Sequence, residues 1–377
     1  MQLSVVILHY DAEAFLHLCL QSVIRATANI TSEIIVADNH SPGFDISRWQ
    51  QRYPGINFIR FDKNLGFGKG NNRAVSQARG TYTVLLNPDV VVAEDTFEKL
   101  LREAKKIKNP GILGVRLIDG RGRFLPESKR NFPDLMNALS KLTGLDNMLP
   151  FAPFSSYYNR GINEDEKGPN PVSVGAFMFF KTQAFQDLGG FDERYFMYGE
   201  DIDLSRSFWE TGLRNYYFGN ITAVHFKGES TPQTAEYRRH FIQASELYYK
   251  KYHPYSARLI NPLIRIFFLL HFFFAKKKQQ KSLRHTGRVY FISRTSEVPY
   301  GLQKTYPGIE LFDLSRLPQA PEGSLIIFDT ASLRFDEIIR TMLLMRPKDF
   351  FYRFWMKSLQ LLIGSDDPKG KGTIIRY

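Results

Sequence analysis

With 377 residues, 43% of them hydrophobic, the chain is long enough for two domains with cores of their own, which excludes a disordered protein. Its net charge of +12 points to anionic partners, whether nucleic acid, an acidic lipid surface or a phosphorylated substrate. The single cysteine, Cys19, excludes an intrachain disulfide or a cysteine zinc site and suits a reducing compartment.

The N-terminal MQLSVVILHY has no basic region and no small-residue cleavage site, so Gln2 to His9 is expected as a first strand rather than a leader. Ala14 to Ile24 carries apolar residues at helical spacing. A second strand, Glu33 to Asp38, runs into turn-rich NHSPGFD, and a third, Ile56 to Phe61, leads through DKNLGFGKGNN to a helix over Asn71 to Arg79. Tyr82 to Leu86 has the make-up of a buried parallel strand and must stop near Pro88, which cannot donate to a ladder. A helix over Asp95 to Lys106 follows, and this alternation predicts a mostly parallel, doubly wound sheet. Leu117 to Asn170 decays into a basic, proline-punctuated stretch of the kind that covers binding sites. Val172 to Phe180 reads as a strand interrupted by Gly175 and Ala176. Glu200 opens a helix with Leu204, Phe208 and Trp209 as its buried stripe and Gly212 as its stop. A short strand, Asn215 to Phe218, and a turn precede His225, and Thr231 to Tyr252 is expected as a helix.

Open α/β sheets bind ligands beyond the carboxyl ends of their strands, where Asp38 and Asp89 both fall. Each has a plainer alternative: an Asx turn into Asn39 to Ser41 for Asp38, a helix cap for Asp89. Gly66, Gly68 and Gly70 let backbone approach a ligand, and Lys69 and Arg73 bring charge to it. This is not a Walker A loop, because Lys69 is not followed by Ser or Thr. Asp192, Glu200, Asp201 and Asp203 form a second acidic cluster. Glu200 and Asp201 either just meet the helix dipole or accept a proton from an alcohol. His225 is either a structural histidine or the imidazole that completes an oxygen and nitrogen site for Mn²⁺ or Mg²⁺.

Taken in order, SVVILHYDAEAFLHLCLQSV, EIIVADNHSPGFD, NLGFGKGNN, LLNPDVVV, GAFMFFKTQAFQDLGGFDERYFMYGEDIDL and the later His225 resemble a family 2 glycosyltransferase of the GT-A fold, and most of all the bacterial rhamnosyltransferase-like enzymes. The resemblance implies a GT-A catalytic domain over residues 1–252, a doubly wound mixed sheet of the nucleotide-diphospho-sugar transferases. It implies inverting transfer of a sugar, with L-rhamnose from dTDP-rhamnose as the first expectation. The donor is a nucleoside diphosphate sugar and the acceptor a saccharide or a polyprenyl-diphosphate-linked sugar, in surface polysaccharide synthesis at the cytoplasmic membrane face. By position, Asp38 resembles the base-recognising aspartate and Leu8 to Tyr10 the nucleotide cradle, with Asn64, Gly66, Lys69, Asn71 and Asn87 also on the donor. Asn87 to Asp89 stand where the family has its Asp-x-Asp metal motif. Asp89 is then a ligand of a divalent ion, His225 a ligand of that ion or of the diphosphate, and Asp201, beside Glu200, is the general base. Asn87 departs from the motif's first aspartate, which leaves coordination by this motif to Asp89. Phe191, Tyr195, Phe196, Tyr198 and Trp209 either pack the core or stack on a sugar face.

Leu263 to Ala275 is apolar but shorter than the roughly 20 residues a bilayer crossing needs. Its phenylalanines, followed by Lys276, Lys277, Lys278 and Lys281, make residues 253–285 a candidate membrane-surface linker, the alternative being a core helix between domains. Residues 286–377 resume strand and helix alternation as a small α/β domain that cannot bury much core by itself and is expected to pack on the first, and Asp366 and Asp367 read as a solvated turn. Two rival functions remain. A sugar-phosphate nucleotidyltransferase needs a glycine-rich loop after strand one, where this chain has HYDAEAF. A non-catalytic lipid- or nucleic-acid-binding protein needs one basic patch, whereas the basic residues here are scattered along the chain, so no nucleic acid is expected.

Overall fold

The computed structural model describes residues 1–133, 157–228, 235–258, 261–262, 264–266, 287–367 and 370–377. Strands β1 (Leu3–His9), β2 (Ser32–Asp38), β3 (Asn57–Arg60) and β4 (Tyr82–Leu86) run parallel, joined by helices α1 (Glu13–Ala26), α2 (Ile46–Arg52) and α3 (Phe67–Val75). β1 and β4 are buried along their whole length, which is what their unbroken apolar runs require of central parallel strands. Beyond Pro88 come β5 (Val90–Val92), α4 (Thr96–Ala104), β6 (Pro110–Ile118), β7 (Lys167–Pro169), β8 (Phe177–Lys181), α5 (Thr182–Asp187), α6 (Glu200–Glu210), β9 (Arg214–His225) and α7 (Ala235–Tyr252). They complete a nine-stranded sheet in the order β3-β2-β1-β4-β8-β6-β9-β5, with β7 beside β9. β8 is antiparallel to β4 and β5 to β9, so the sheet is mixed, as expected of the GT-A fold.

Three elements differ from their sequence outline. α3 begins at Phe67, not Asn71, because Gly66 takes a positive φ of 78° and turns the chain directly into the helix. The β8 ladder begins at Phe177, which leaves Val174, Gly175 and Ala176 as a loop on the site. Asn215 to Phe218 is not followed by a turn: it lies inside β9, which runs on to His225 after a register shift against β6. Gly219 spares the strand a side chain where the backbone of Glu164 to Glu166 passes close.

The C-terminal unit comprises β10 (Val289–Ile292), α8 (Tyr300–Thr305), β11 (Glu310–Phe312), β12 (Leu325–Asp329), α9 (Phe335–Leu344), β13 (Phe351–Met356), β14 (Leu361–Gly364) and β15 (Thr373–Arg376). Its six strands order as β11-β10-β12-β13-β14-β15, parallel as far as β13 and antiparallel beyond. One face has a small core of its own and the other packs on the first sheet. Phe291, Leu302, Ile327, Trp355 and Leu362 fill one face, and the other shares a core with the first sheet, where Phe328, Ile339, Met342 and Phe354 meet Phe15, Val91, Val224 and Phe226. Asp366 is not merely solvated, because its carboxylate takes two 2.7 Å hydrogen bonds from the buried Arg353 guanidinium. Leu263 and residues 267–286, which hold most of the expected membrane segment, lie outside the described residues, as does Lys369. Ile264 packs against the Tyr248 and Tyr249 cluster of α7. Among the described residues no helix is long and apolar enough to cross a membrane.

Candidate active site

The carboxyl ends of β1, β4 and β9 and the start of α6 open on one cavity of about 590 Å³. Of the residues expected from sequence, Leu8, Tyr10, Asn64, Asn87, Glu200 and His225 line it. Asp38, Gly66, Lys69, Asn71, Asp89 and Asp201 are not among its lining residues, each for a definite reason.

At the β1 and β2 end of the cavity, Asp38 is fully buried beneath the loop it was expected to serve. Its Oδ1 lies 3.0 Å from His9 Nδ1, and both of its oxygens accept from the Ser41 backbone N–H. His9 Nε2 accepts from Ala12 N–H, so Nδ1 carries the proton and donates to Asp38. The expected direct contact of Asp38 with a base is therefore replaced by a structural one. Its neighbour Asn39 faces the cavity and is held through Asn64 Oδ1 and Leu65 N–H. Lys69 and Asn71 are displaced by the early start of α3. Lys69 Nζ pairs with Glu193 at 2.9 Å, and the Asn71 amide donates to the Phe67 carbonyl. Gly66 acts through its backbone: Phe67 N–H donates to the Phe196 carbonyl at 2.8 Å, and a Cβ on Gly66 would overlap that same oxygen. Gly66→Ala is expected to cost about 1–3 kcal/mol from the φ alone, read as a lower midpoint of thermal unfolding.

Asp89 is buried just behind the cavity wall, next to His225. His225 Nε2 lies 3.4 Å from Asp89 Oδ1, and His225 Nδ1 is buried with no hydrogen-bond partner among the described residues. No third acidic, histidine or cysteine ligand joins them among the described residues. One carboxylate and one orphaned imidazole suit a hard divalent ion that draws its other ligands from phosphate oxygens and water.

The acidic cluster divides into two residues that hold α7 and two that stand beside Arg130 and the cavity. Asp203 and Asp192 both hold Lys251 of α7, Asp203 with 2.8 and 2.9 Å contacts, and so fasten α7 to α6. Asp201 accepts from Arg130 Nη2 at 2.6 Å and from Gly175 N–H at 3.1 Å. Burial works against the Arg130 charge, but Asp201 and Tyr157 more than offset it and keep the guanidinium firmly protonated. Glu200 is 6% exposed, and its Oε2 has no hydrogen-bond partner among the described residues. Burial, and then the Asp201 charge, hold the Glu200 carboxyl well above the ordinary carboxylate range. Among the aromatic candidates, Phe196 and Tyr198 line the cavity, whereas Phe191 and Tyr195 are core residues and Trp209 lies under Arg214.

Sequence reasoning missed Arg130, Asn39, and the pair Glu236 and His240, which α7 brings to the cavity mouth. His240 stacks on Phe196 with ring centroids 4.6 Å apart. Nothing local in RRHFIQ singles it out, since its placement depends on the Asp203 and Lys251 tie 11 residues further along the helix.

The family model for glycosyl transferase family 2 matches residues 4–189. The N-acetylglucosaminyl-diphospho-decaprenol L-rhamnosyltransferase of Mycobacterium tuberculosis (strain ATCC 25618 / H37Rv) is 30% identical over 240 residues, which cover 61% of this chain and 77% of the relative. The chain belongs to glycosyl transferase family 2. Rhamnosyltransferase WbbL of Escherichia coli (strain K12) is a further relative of this glycosyltransferase, 27% identical over 235 residues that cover 60% of the chain and 82% of the relative. Among solved structures, GalNAc-T7 with UDP, GalNAc and Mn²⁺ superposes with a TM-score of 0.49 at 16% identity, over 66% of this chain and 47% of that one.

Proposed function

We propose that this glycosyltransferase moves L-rhamnose, with inversion, from dTDP-rhamnose to a polyprenyl-diphosphate-linked sugar in the assembly of a surface polysaccharide. The observation that carries the reading is the convergence on one cavity of Glu200, His225 and the loop after β1, from positions far apart in the chain, with Asp201 next to Glu200 and Asp89 next to His225 just behind the wall. The donor and acceptor follow the two relatives, one a rhamnosyltransferase by name and the other an L-rhamnosyltransferase to N-acetylglucosaminyl-diphospho-decaprenol.

Leu8, Tyr10, Asn39 and Asn64 hold the nucleoside end, and Asn87, Asp89 and His225 the diphosphate. Asp89 and His225 would hold a divalent ion, Mn²⁺ or Mg²⁺, which when bound supplies Lewis-acid charge to the departing diphosphate. On the opposite side of the sugar, Glu200, Asp201 and Arg130 carry one net negative charge together once Glu200 has given up its proton, and in that state they can take up one proton. Glu200 Oε2 is the open atom of that group, and Asp201, clamped by Arg130 and Gly175, is the fixed charge that raises its basicity. The acceptor hydroxyl loses its proton to the pair as its oxygen attacks the face opposite the leaving group, so a single displacement inverts the anomeric centre.

Release of nucleoside diphosphate from a panel of nucleotide sugars, with Mn²⁺ and a GlcNAc-diphospholipid acceptor, tests this. Turnover of dTDP-rhamnose with one product anomer supports the reading; turnover of another donor alone corrects the sugar; no turnover of any overturns it. The basic segment is assigned to the membrane surface, which matches a lipid-linked acceptor. Deleting residues 263–281 should leave the protein in the supernatant of anionic vesicles, and a deletion variant that still sediments with them contradicts that assignment.

A further inference from the structure

We propose that the C-terminal sheet is the rear wall of the diphosphate site, with Phe226 and Glu94 as positioning residues for His225 and Asp89. The inference rests on the reading that these two side chains meet the diphosphate. β5 and the end of β9 pair antiparallel, with Val90 opposite His225 and Val91 opposite Val224, and Phe226 N–H donates to the Asp89 carbonyl at 3.1 Å. Both ligands thus sit on a two-strand edge whose side chains alternate between two cores. Val90, Val92 and Ala223 enter the core of the first sheet, whereas Val91, Val224 and Phe226 enter the core shared with the C-terminal unit.

Within the catalytic domain α1 covers part of this face, with Phe15 against Phe226 at 5.0 Å. The C-terminal unit covers the rest, and its Phe354 packs edge-on to Phe226 at 5.4 Å. Five residues past Asp89, the Glu94 carboxylate accepts from the Phe335 and Asp336 N–H groups at 2.8 and 2.9 Å, so the catalytic domain supplies the anion at the first turn of α9. On the far side of the edge, the Arg121 guanidinium donates to the Asp349 and Phe350 carbonyls and stacks 3.7 Å over Phe351. Among the described residues the side chains of His225 and Asp89 have few partners, so the backbone that carries them, paired on one side with β6, depends for the rest of its position on these contacts.

Calorimetric titration of the full-length protein with dTDP or UDP, in MnCl₂, tests the assignment. Glu94→Gln and Phe354→Ala are each expected to weaken nucleoside diphosphate binding about tenfold or more, the scale for residues that support a ligand shell. Phe354→Leu should recover most of the loss, and Leu344→Ala, on the exposed side of α9, should change nothing. Thymidine or uridine, which lack the diphosphate, should bind the variants as they bind the wild type. If Glu94→Gln folds and binds the diphosphate like the wild type, or loses the bare nucleoside equally, the C-terminal unit has no such role. A wild-type protein that binds no nucleoside diphosphate overturns this assignment and the donor-site reading together.

Discussion

Glu200→Gln and Asp201→Asn each lower kcat by on the order of 10²–10⁴-fold, the usual contribution of a general base, while nucleoside diphosphate affinity stays nearly unchanged. The two variants part company in their pH profiles. In the wild type, kcat/KM climbs with pH as Glu200 gives up its proton, at a pH above the ordinary carboxylate range because the group is buried beside Asp201. Asp201→Asn removes the neighbouring charge, so the residual activity should show this limb displaced to lower pH; Glu200→Gln should show no limb in this range. A limb retained in Glu200→Gln and absent in Asp201→Asn makes Asp201 itself the proton acceptor, the role its position in the family resemblance implies. Loss of Asp201 also leaves a buried guanidinium unpaired at a cost of about 3–5 kcal/mol, so the comparison is made on protein shown to be folded.

The same carboxyl has a signature in stability. Its folded-state pKa is raised, so its contribution is fully present at acid pH, below the unfolded value, and is lost as pH rises through the folded value. Denaturant unfolding of the wild type should therefore lose stability between mildly acid and mildly alkaline conditions, by more than Glu200→Gln does. Equal slopes would mean that Glu200 titrates normally.

Asp89→Asn and His225→Ala give the second large effect, a fall in kcat/KM on the order of 10²–10³-fold, the scale for removing one group aimed at developing charge. Unlike the base variants, they should bind nucleoside diphosphate more weakly and need more Mn²⁺ for half-maximal activity. Chelation of divalent ions should stop transfer and Mn²⁺ should restore it. Full activity in chelator would assign Asp89 and His225 a direct role on the diphosphate without an ion, a role that Asn87 in the motif's first position makes chemically sensible.

How much of this was readable beforehand depended on whether a residue's role was local. β1, β2 and β4 were legible because a parallel strand buried on both faces leaves an unbroken apolar run, and Pro88 marks its end wherever the chain goes. Asn87, Glu200 and His225 were legible because strand ends and a helix start place them. Lys69 and Asn71 were misplaced because Gly66 starts α3 one turn early, which depends on Phe196, 130 residues away. Arg130 was invisible: it sits in a basic loop with no periodicity, and only the folded chain brings it to Asp201. β5 was missed for a related reason. VVV shows no alternation because both of its faces are buried, and the second face is covered by residues more than 200 positions later.

A crystal structure of the protein with a nucleoside diphosphate and Mn²⁺ tests the central claim most directly. The diphosphate is expected against Asn87, Asp89 and His225, the base beside Tyr10, Asn39 and Asn64, and Glu200 across the open space that the sugar would fill. A nucleotide seated elsewhere, or none bound at millimolar concentration, contradicts that claim.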